Sequence, residues 1–100
     1  MVSVLRPRRR RVTTSPGRTS LELRPPRSEQ VDALIGALGE RLGAVPGVQH
    51  VDANPVLCRV VVDHDGRVRR NELLAAVEAA EADAGTSGHE FPDTLAGHPA

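Results

Sequence analysis

The pattern of apolar and polar positions predicts a well-defined first helix. Apolar side chains recur at the three- and four-residue spacing that places them on one helix face: Val31, Leu34, Ile35, Leu38 and Leu42. Ser28 is a suitable cap for the first turn, because its hydroxyl can accept a hydrogen bond from a backbone N–H. We therefore expect a helix that begins after Ser28, packs through this face, and ends at a turn over residues 43–47.

Three shorter segments alternate between polar and apolar residues, as half-buried strands do. They span residues 20–24, 48–53 and 57–63. The turn signal Asn54-Pro55 separates the second segment from the third, so these two strands should pair as an antiparallel hairpin. In the third strand the pattern predicts that Cys58 faces inward.

A second helix is predicted over residues 72–82, with Asn71 as its cap and Leu73, Val77 and Ala80 on its buried face. The order of elements is therefore strand, helix, strand, strand, helix. This order predicts an α+β fold, a ferredoxin-like βαββα sandwich whose antiparallel sheet carries both helices on one face. No segment after residue 85 has the pattern of a fourth strand, so one edge of the sheet is expected to be open or short.

Charge is distributed unevenly, although the formal net charge is zero. Residues 1–18 contain six arginines and no acidic residue, whereas residues 19–83 carry a net charge of −4. Repulsion between the arginines predicts a disordered Arg-rich arm over residues 1–19. A folded domain should follow over residues 20–83, and then a flexible tail over residues 84–100 that includes the only aromatic residue, Phe91.

Cysteine use and hydropathy indicate the compartment. The single cysteine, Cys58, excludes an internal disulfide and is typical of a reducing cytoplasm. No apolar run approaches the length of about 20 residues that spans a bilayer. All 13 basic residues are arginine, which suggests a GC-rich bacterial genome. We expect a bacterial protein of the cytoplasm, either free or at the inner face of the membrane.

Several short motifs then follow one another in a characteristic order. Pro46-Gly47-Val48 forms a turn into a strand, with Leu42 and Val45 six and three positions before Val48. Val51, Ala53-Asn54-Pro55, Arg59-Val60, Val62-Asp63, Asp65 and Glu72-Leu73-Leu74 with Val77 continue the pattern. Over about residues 20–83 the chain thereby resembles a heavy-metal-associated (copper-chaperone-like) domain.

The resemblance also implies that the family's metal site is missing. The family binds soft metal ions through a Cys-x-x-Cys pair before the first helix, and these positions correspond to Val31 and Leu34 here. Cu(I) requires sulfur ligands, so we expect no bound metal or cofactor. The chain resembles the degenerate domains at the N-termini of some bacterial cation-transporting P-type ATPases. The function implied is a non-catalytic interaction or regulatory module, in or beside such a transporter, whose partner is that transporter or a second copy.

A metal carrier is the first alternative. Cys58 and His50, on paired strands, are weak candidate ligands, but a buried cysteine is usually a small core residue. His64 lies between Asp63 and Asp65, a sequence that is also an ordinary acidic turn and lacks the ligand spacing of a calcium loop. His89 and His98 are expected to be solvated in the tail.

A binder of nucleic acid or of the membrane surface is the second alternative. Arg8, Arg9, Arg10 and Arg11 are candidates for binding phosphate backbones or anionic lipid. The simpler interpretation is a solubilising leader, since no aromatic platform is available for base stacking. The sequence contains no recognisable catalytic set, so we expect that the protein is not an enzyme.

Overall fold

The computed structural model of the chain describes residues 9–91, in which a four-stranded antiparallel sheet packs against two α-helices. The elements in chain order are strand β1 (Val12–Ser15), strand β2 (Arg18–Glu22), a 3-10 turn (Ser28–Gln30), helix α1 (Val31–Gly43), strand β3 (Val48–Asn54), strand β4 (Arg59–His64) and helix α2 (Arg70–Ala84). The prediction of an α+β fold is confirmed, and the arrangement is compatible with a ferredoxin-like sandwich.

The strands lie in the order β1-β2-β4-β3, and all neighbours are antiparallel. Leu21 of β2 lies opposite Val60 of β4, and Val51 of β3 lies opposite Val62 of β4. The predicted hairpin of β3 and β4 is therefore present. Helix α1 connects β2 to β3, and β4 then fills the position between these two strands, as the split βαβ arrangement requires.

Strand β1 corrects the prediction of a disordered arm over residues 1–19, and it forms a short sheet edge beside β2. Val12–Ser15 pairs with β2, and Val12 lies opposite Leu21. Gly17 has φ = 79° in the turn between the strands, as expected where Gly follows Pro in a tight turn. The missed signal was the β-branched run Val12-Thr13-Thr14 before the turn pair Pro16-Gly17, followed by an alternating strand pattern, which together indicate a hairpin. Residues 1–8 of the predicted arm lie outside the described residues.

One hydrophobic core lies between the helices and the inner face of the sheet. The sheet contributes side chains without exposed surface from β4 and from β2 with the segment after it: Leu21, Leu23, Val60 and Val62. The helices contribute Leu34, Leu38, Leu42, Leu73, Val77 and Ala80, also without exposed surface. The fully buried side chains of α1, Leu34, Leu38 and Leu42, form one i, i+4, i+8 row, and Ala37 packs against the core beside it. Ile35, beside this row, therefore remains 39% exposed, although the sequence predicted it to be on the buried face.

The element boundaries differ from the predictions at several ends. The first predicted strand is shifted two residues toward the N-terminus, and Ser28 lies in the 3-10 turn instead of capping α1. Cys58 precedes β4 in a turn, with φ = 50°, because the chain needs four turn residues to reverse after β3.

In the part of the chain that the structure describes, no helix is long and apolar enough to cross a membrane.

The start of β3 depends on Gly47, whose φ is 95°. A Cβ atom at this position would lie 2.7 Å from Val68 Cγ2 and 2.9 Å from Asp65 Oδ1. Both the backbone angle and the lack of space therefore require glycine here. The Asp65 N–H donates a hydrogen bond to the Gly47 carbonyl (3.0 Å), which ties the start of β3 to the end of β4.

Candidate functional site

Strand β3 forms an edge of the sheet, and β4 is its only strand neighbour among residues 9–91. It is the longest strand, with seven residues, and four of its side chains are exposed: Gln49, His50, Asp52 and Asn54. Val51 and Ala53 face the core and are half-buried. An edge strand of this length presents unpaired backbone N–H and C=O groups to any extended chain that approaches it.

The turn after β3 extends this edge with apolar surface. The Asn54 Oδ1 atom accepts a hydrogen bond from the Leu57 N–H (3.0 Å), which fixes the turn. The apolar side chains of Val56 and Leu57 are largely exposed to solvent, at 89% and 59%. The backbone edge of β3 together with the side chains of Val56 and Leu57 is called the β3 surface below.

A cavity of about 230 Å³ lies beside the turn, on the sheet face that the helices do not cover. Its lining is mainly polar and comes from three strands and the turn: Arg11, Thr13, Ser20, Glu22, Leu57, Cys58 and Arg59. The Arg11 N–H donates a hydrogen bond to Glu22 Oε1 (3.1 Å) within it. Leu57 borders both this cavity and the β3 surface.

The structure does not bring Cys58 and His50 together. His50 lies opposite Asp63, near the far end of β4 from Cys58. The Cys58 Sγ atom lies 3.5 Å from the Pro55 carbonyl oxygen. Burial, and secondarily the charge of Glu22, raises the pKa of the Cys58 thiol. The thiol is therefore protonated at neutral pH, in the form that is neither a good nucleophile nor a metal ligand.

His64 has a structural role in place of the weak metal site suggested by its acidic neighbours. Its ring is 6% exposed. Nδ1 donates to the Asp65 carbonyl (2.8 Å), and Nε2 shares a hydrogen bond with the Thr19 hydroxyl (2.8 Å). Asp63 points to the other face, where the Arg18 Nε lies 2.7 Å from its Oδ1. Over residues 9–91 there is no group of three or more His, Cys, Asp or Glu side chains that could hold a metal ion.

The positions that correspond to the family's cysteine pair lie at the start of α1. Leu34 has no exposed surface and packs in the core, as predicted, whereas Val31 is the first residue of the helix and only half-buried. Neither side chain has an atom that can ligate a metal.

Arg10, predicted as an anion-binding residue, is turned inward. Its guanidinium forms a bidentate salt bridge with the Glu81 carboxylate of α2, and the Nη1–Oε2 distance is 3.0 Å. The two side chains are 8% and 1% exposed. Arg9 is exposed, and Arg8 lies outside the described residues. Arg10 is thus occupied by a partner within the chain and is not available to an external phosphate.

Glu81 organises a cluster that the sequence analysis missed. The Arg24 N–H also donates to its Oε2 atom (2.8 Å). The guanidinium carbons of Arg10 and Arg24 lie 5.0 Å and 4.4 Å from the centre of the Phe91 ring. These distances are within the range of cation–π contacts. Arg10, Arg24, Glu81 and Phe91 are called the Glu81 cluster below.

The cluster also corrects the prediction of a flexible tail from residue 84. Phe91 is 9% exposed and Thr86 has no exposed surface. His89, predicted to be solvated, donates through Nδ1 to the Pro25 carbonyl (2.6 Å), and its own carbonyl accepts from Arg24 (2.6 Å). The segment up to residue 91 is ordered because it supplies partners for the cationic side chains around Glu81. Residues 92–100 lie outside the described residues.

Comparison of the chain with protein-family models, with curated proteins and with solved structures finds no match. The resemblance to heavy-metal-associated domains therefore stays an expectation based on the sequence motifs. The geometry of the β3 surface is independent of that resemblance.

Proposed function

We propose that the chain is a non-catalytic interaction module that binds an extended segment of a partner protein along the β3 surface. The observation that carries this proposal is a seven-residue edge strand that continues into two strongly exposed apolar side chains, Val56 and Leu57. In strand addition, backbone hydrogen bonds supply affinity, and side chains beside the edge supply specificity. The β3 surface offers both.

Within the β3 surface, burial of the Val56 and Leu57 side chains by a partner would contribute the most binding free energy. Burying a Val or Leu side chain that was fully exposed contributes about 1.5–3 kcal/mol. Val56 is 89% exposed and can gain nearly this full amount, and Leu57 is 59% exposed and can gain somewhat more than half of it. Because both residues lie in the turn that ends β3, a strand added to β3 can cover them without displacing any part of the core.

The resemblance to degenerate heavy-metal-associated domains suggests the class of partner. In that setting the added segment belongs to the cytoplasmic part of a bacterial cation-transporting P-type ATPase, and the module works in the cytoplasm or at the inner face of the membrane. The module carries no metal of its own, because Val31 and Leu34 replace the cysteine pair. This part of the proposal rests on the motifs alone.

The two alternative functions have less support. A carrier that uses Cys58 and His50 would need these residues on the same part of the sheet, and the β3–β4 register separates them. An arm that binds anions through four arginines loses Arg10 to Glu81. An anion-binding role remains a prediction for Arg8, Arg9 and Arg11.

The test is an NMR titration of isotope-labelled full-length protein. The ligands are overlapping peptides from the cytoplasmic segments of P-type ATPases whose genes lie beside the gene of this protein. We expect shift changes in β3 and at Val56 and Leu57. The variant Val56→Asp/Leu57→Asp should abolish them, whereas Thr14→Asp, on the opposite edge, should not.

The same titration can refute the proposal in two ways. Binding that survives the Val56→Asp/Leu57→Asp change would place the contact elsewhere. An absence of shifts in β3 with every peptide would contradict the P-type ATPase as partner. All titrations are made at a protein concentration at which the chain sediments as a monomer, so that self-association does not contribute.

A further inference from the structure

We propose that a second copy of this chain is one partner of the β3 surface: two β3 strands pair antiparallel about a two-fold axis at Val51. In this arrangement His50 of each copy lies opposite Asp52 of the other. The inference rests on the proposed function, because it uses the same edge, and it deepens it by naming one occupant and a register.

Symmetry restricts the possible registers. Two antiparallel edge strands in one continuous sheet are related by a two-fold axis perpendicular to the sheet, and paired residues then project to the same face. The axis must therefore pass through a residue pair of the same kind, such as Val51 with Val51. Val51 is also the midpoint of Val48–Asn54, so this register centres the contact on the strand.

Charge then distinguishes between the remaining registers. His50 and Asp52 are both exposed, and both lie on the sheet face away from the helices, since Val51 between them faces the core. An axis at Val51 places each His50 opposite an Asp52, twice per dimer. An axis at Asp52 would oppose two carboxylates, which destabilises a strand pair, and an axis at His50 would oppose two imidazoles.

Asp52 makes no salt bridge among the described residues, and the one carboxylate opposite His50 within its own copy is that of Asp63. Asp52 lies opposite the apolar Val61 on β4. The Asp63 carboxylate is already hydrogen-bonded by Arg18 at 2.7 Å. An imidazole can donate a hydrogen bond to a carboxylate in either protonation state, so the His50–Asp52 contact is favourable at neutral pH.

The apolar contribution to this pairing is small. On the helix face, the two half-buried Val51 side chains meet across the axis and extend the two cores toward each other. The register shift between Val48 and His50 in the pairing with β4 marks a bulge, and bulges limit regular edge pairing. We therefore expect a weak dimer that forms with rising concentration.

Sedimentation equilibrium of the full chain provides the test, with single and double charge variants. His50→Glu places a carboxylate opposite Asp52 at two sites and should weaken dimerisation at least about fivefold, given the size of cross-strand charge effects. His50→Glu/Asp52→Lys should restore it, because every new pair is again of opposite charge. Thr13→Glu adds the same charge to the outer face of β1 and should change dimerisation less than about twofold, since β1 lies outside the proposed contact.

A mixing experiment separates contacts between copies from contacts within one copy. The His50→Glu and Asp52→Lys variants should each dimerise poorly alone, yet form a mixed dimer when combined. In the mixed dimer the introduced carboxylate of one copy faces the introduced ammonium of the other across the axis, and the second site keeps its original pair of His50 and Asp52. Failure of the mixed dimer to exceed either homodimer would overturn the register.

The outcomes also separate this inference from the proposed function. A chain that is monomeric up to about millimolar concentration, where even weak specific contacts become populated, overturns the dimer. If its β3 surface still binds a transporter peptide, the proposed function survives that result. A dimer that resists all β3 charge variants but responds to Thr13→Glu overturns the choice of edge.

Discussion

The two edges of the sheet differ in length, composition and attachment. Strand β1 has four residues, Val-Thr-Thr-Ser, and the residues before it are tied to α2 by the ion pair of Arg10 and Glu81. Strand β3 has seven residues and continues into the exposed side chains of Val56 and Leu57. Both edges leave backbone groups unpaired by the sheet, but β1 is short and lies beside charged groups that pair within the chain, whereas β3 offers a longer row of backbone groups next to exposed apolar surface.

This difference separates polar groups that bind one another within the chain from polar groups that stay exposed. Glu81 is 1% exposed, and a buried carboxylate is tolerated only when hydrogen bonds and countercharges surround it. Arg10 and Arg24 supply them, and the Phe91 ring packs against both guanidiniums. The side chains of β3 are exposed instead, so their hydrogen bonds can be exchanged for those of a partner at little cost.

The largest expected effect concerns the edge at β1. Glu81→Gln should lower the free energy of unfolding by about 3–5 kcal/mol, because it leaves the buried Arg10 guanidinium without its countercharge. Glu78→Gln, on the exposed side of the same helix, should change it by less than about 0.5 kcal/mol. Urea denaturation measures both. A loss below about 1 kcal/mol for Glu81→Gln, the range of an exposed ion pair, would mean that the ion pair does not hold this edge.

The next effect tests the core that supports both edges. Leu34→Ala should cost about 2–4 kcal/mol, because it opens a cavity at a position with no exposed surface. Ile35→Ala, one residue further along α1 and 39% exposed, should cost much less. The same denaturation experiment serves here. Similar losses for both variants would show that α1 packs through a broader face than the row at Leu34.

A smaller effect concerns the turn that begins β3. Gly47→Ala should destabilise the protein by about 1–2 kcal/mol, since φ = 95° is unfavourable for any residue with a Cβ atom. The crowding by Val68 and Asp65 adds to this cost. Gly36→Ala is the matched control in α1, where a Cβ meets no neighbour, and it should stabilise the protein slightly. A neutral Gly47→Ala would indicate that β3 can begin with a different turn.

The smallest effect is a pH dependence on the outer sheet face. The hydrogen bond from Arg18 holds the pKa of Asp63 below its usual value. The stabilisation that this pair contributes is therefore fully present above the ordinary pKa of aspartate, about 4. It is lost as pH falls through the lower pKa of the folded state. In Asp63→Asn, the free energy of unfolding measured against pH should therefore fall less steeply in the acid range. An unchanged slope would mean that other carboxylates account for the acid sensitivity.

The sequence predicted the elements whose patterns are local. Both helices, the β3–β4 hairpin and the core positions Leu34, Val60 and Val77 follow from spacing alone. Strand β1 was missed because the arginines before it suggested disorder, although the Pro16-Gly17 hairpin signal was present.

The Glu81 cluster could not be predicted in the same way, because it joins residues 71 positions apart. One signal was available in retrospect. Glu81 falls at the helical spacing of Leu73 and Val77, on the buried face, and a carboxylate there requires cationic partners. The acid-free arginine segment contained one of them. The β3 surface could be expected only in part, because an open or short edge was predicted without being assigned to a particular strand.

Hydrogen exchange of the full chain, resolved by residue and repeated at rising protein concentration, tests most directly the claim that β3 is a contact edge and β1 is not. We expect the amides of Val48–Asn54 that point away from β4 to exchange quickly in dilute solution and to become protected as the concentration rises. The amides of Val12–Ser15 should keep the same rates throughout. Unchanged rates along β3, or equal protection of β1 and β3, would contradict this claim.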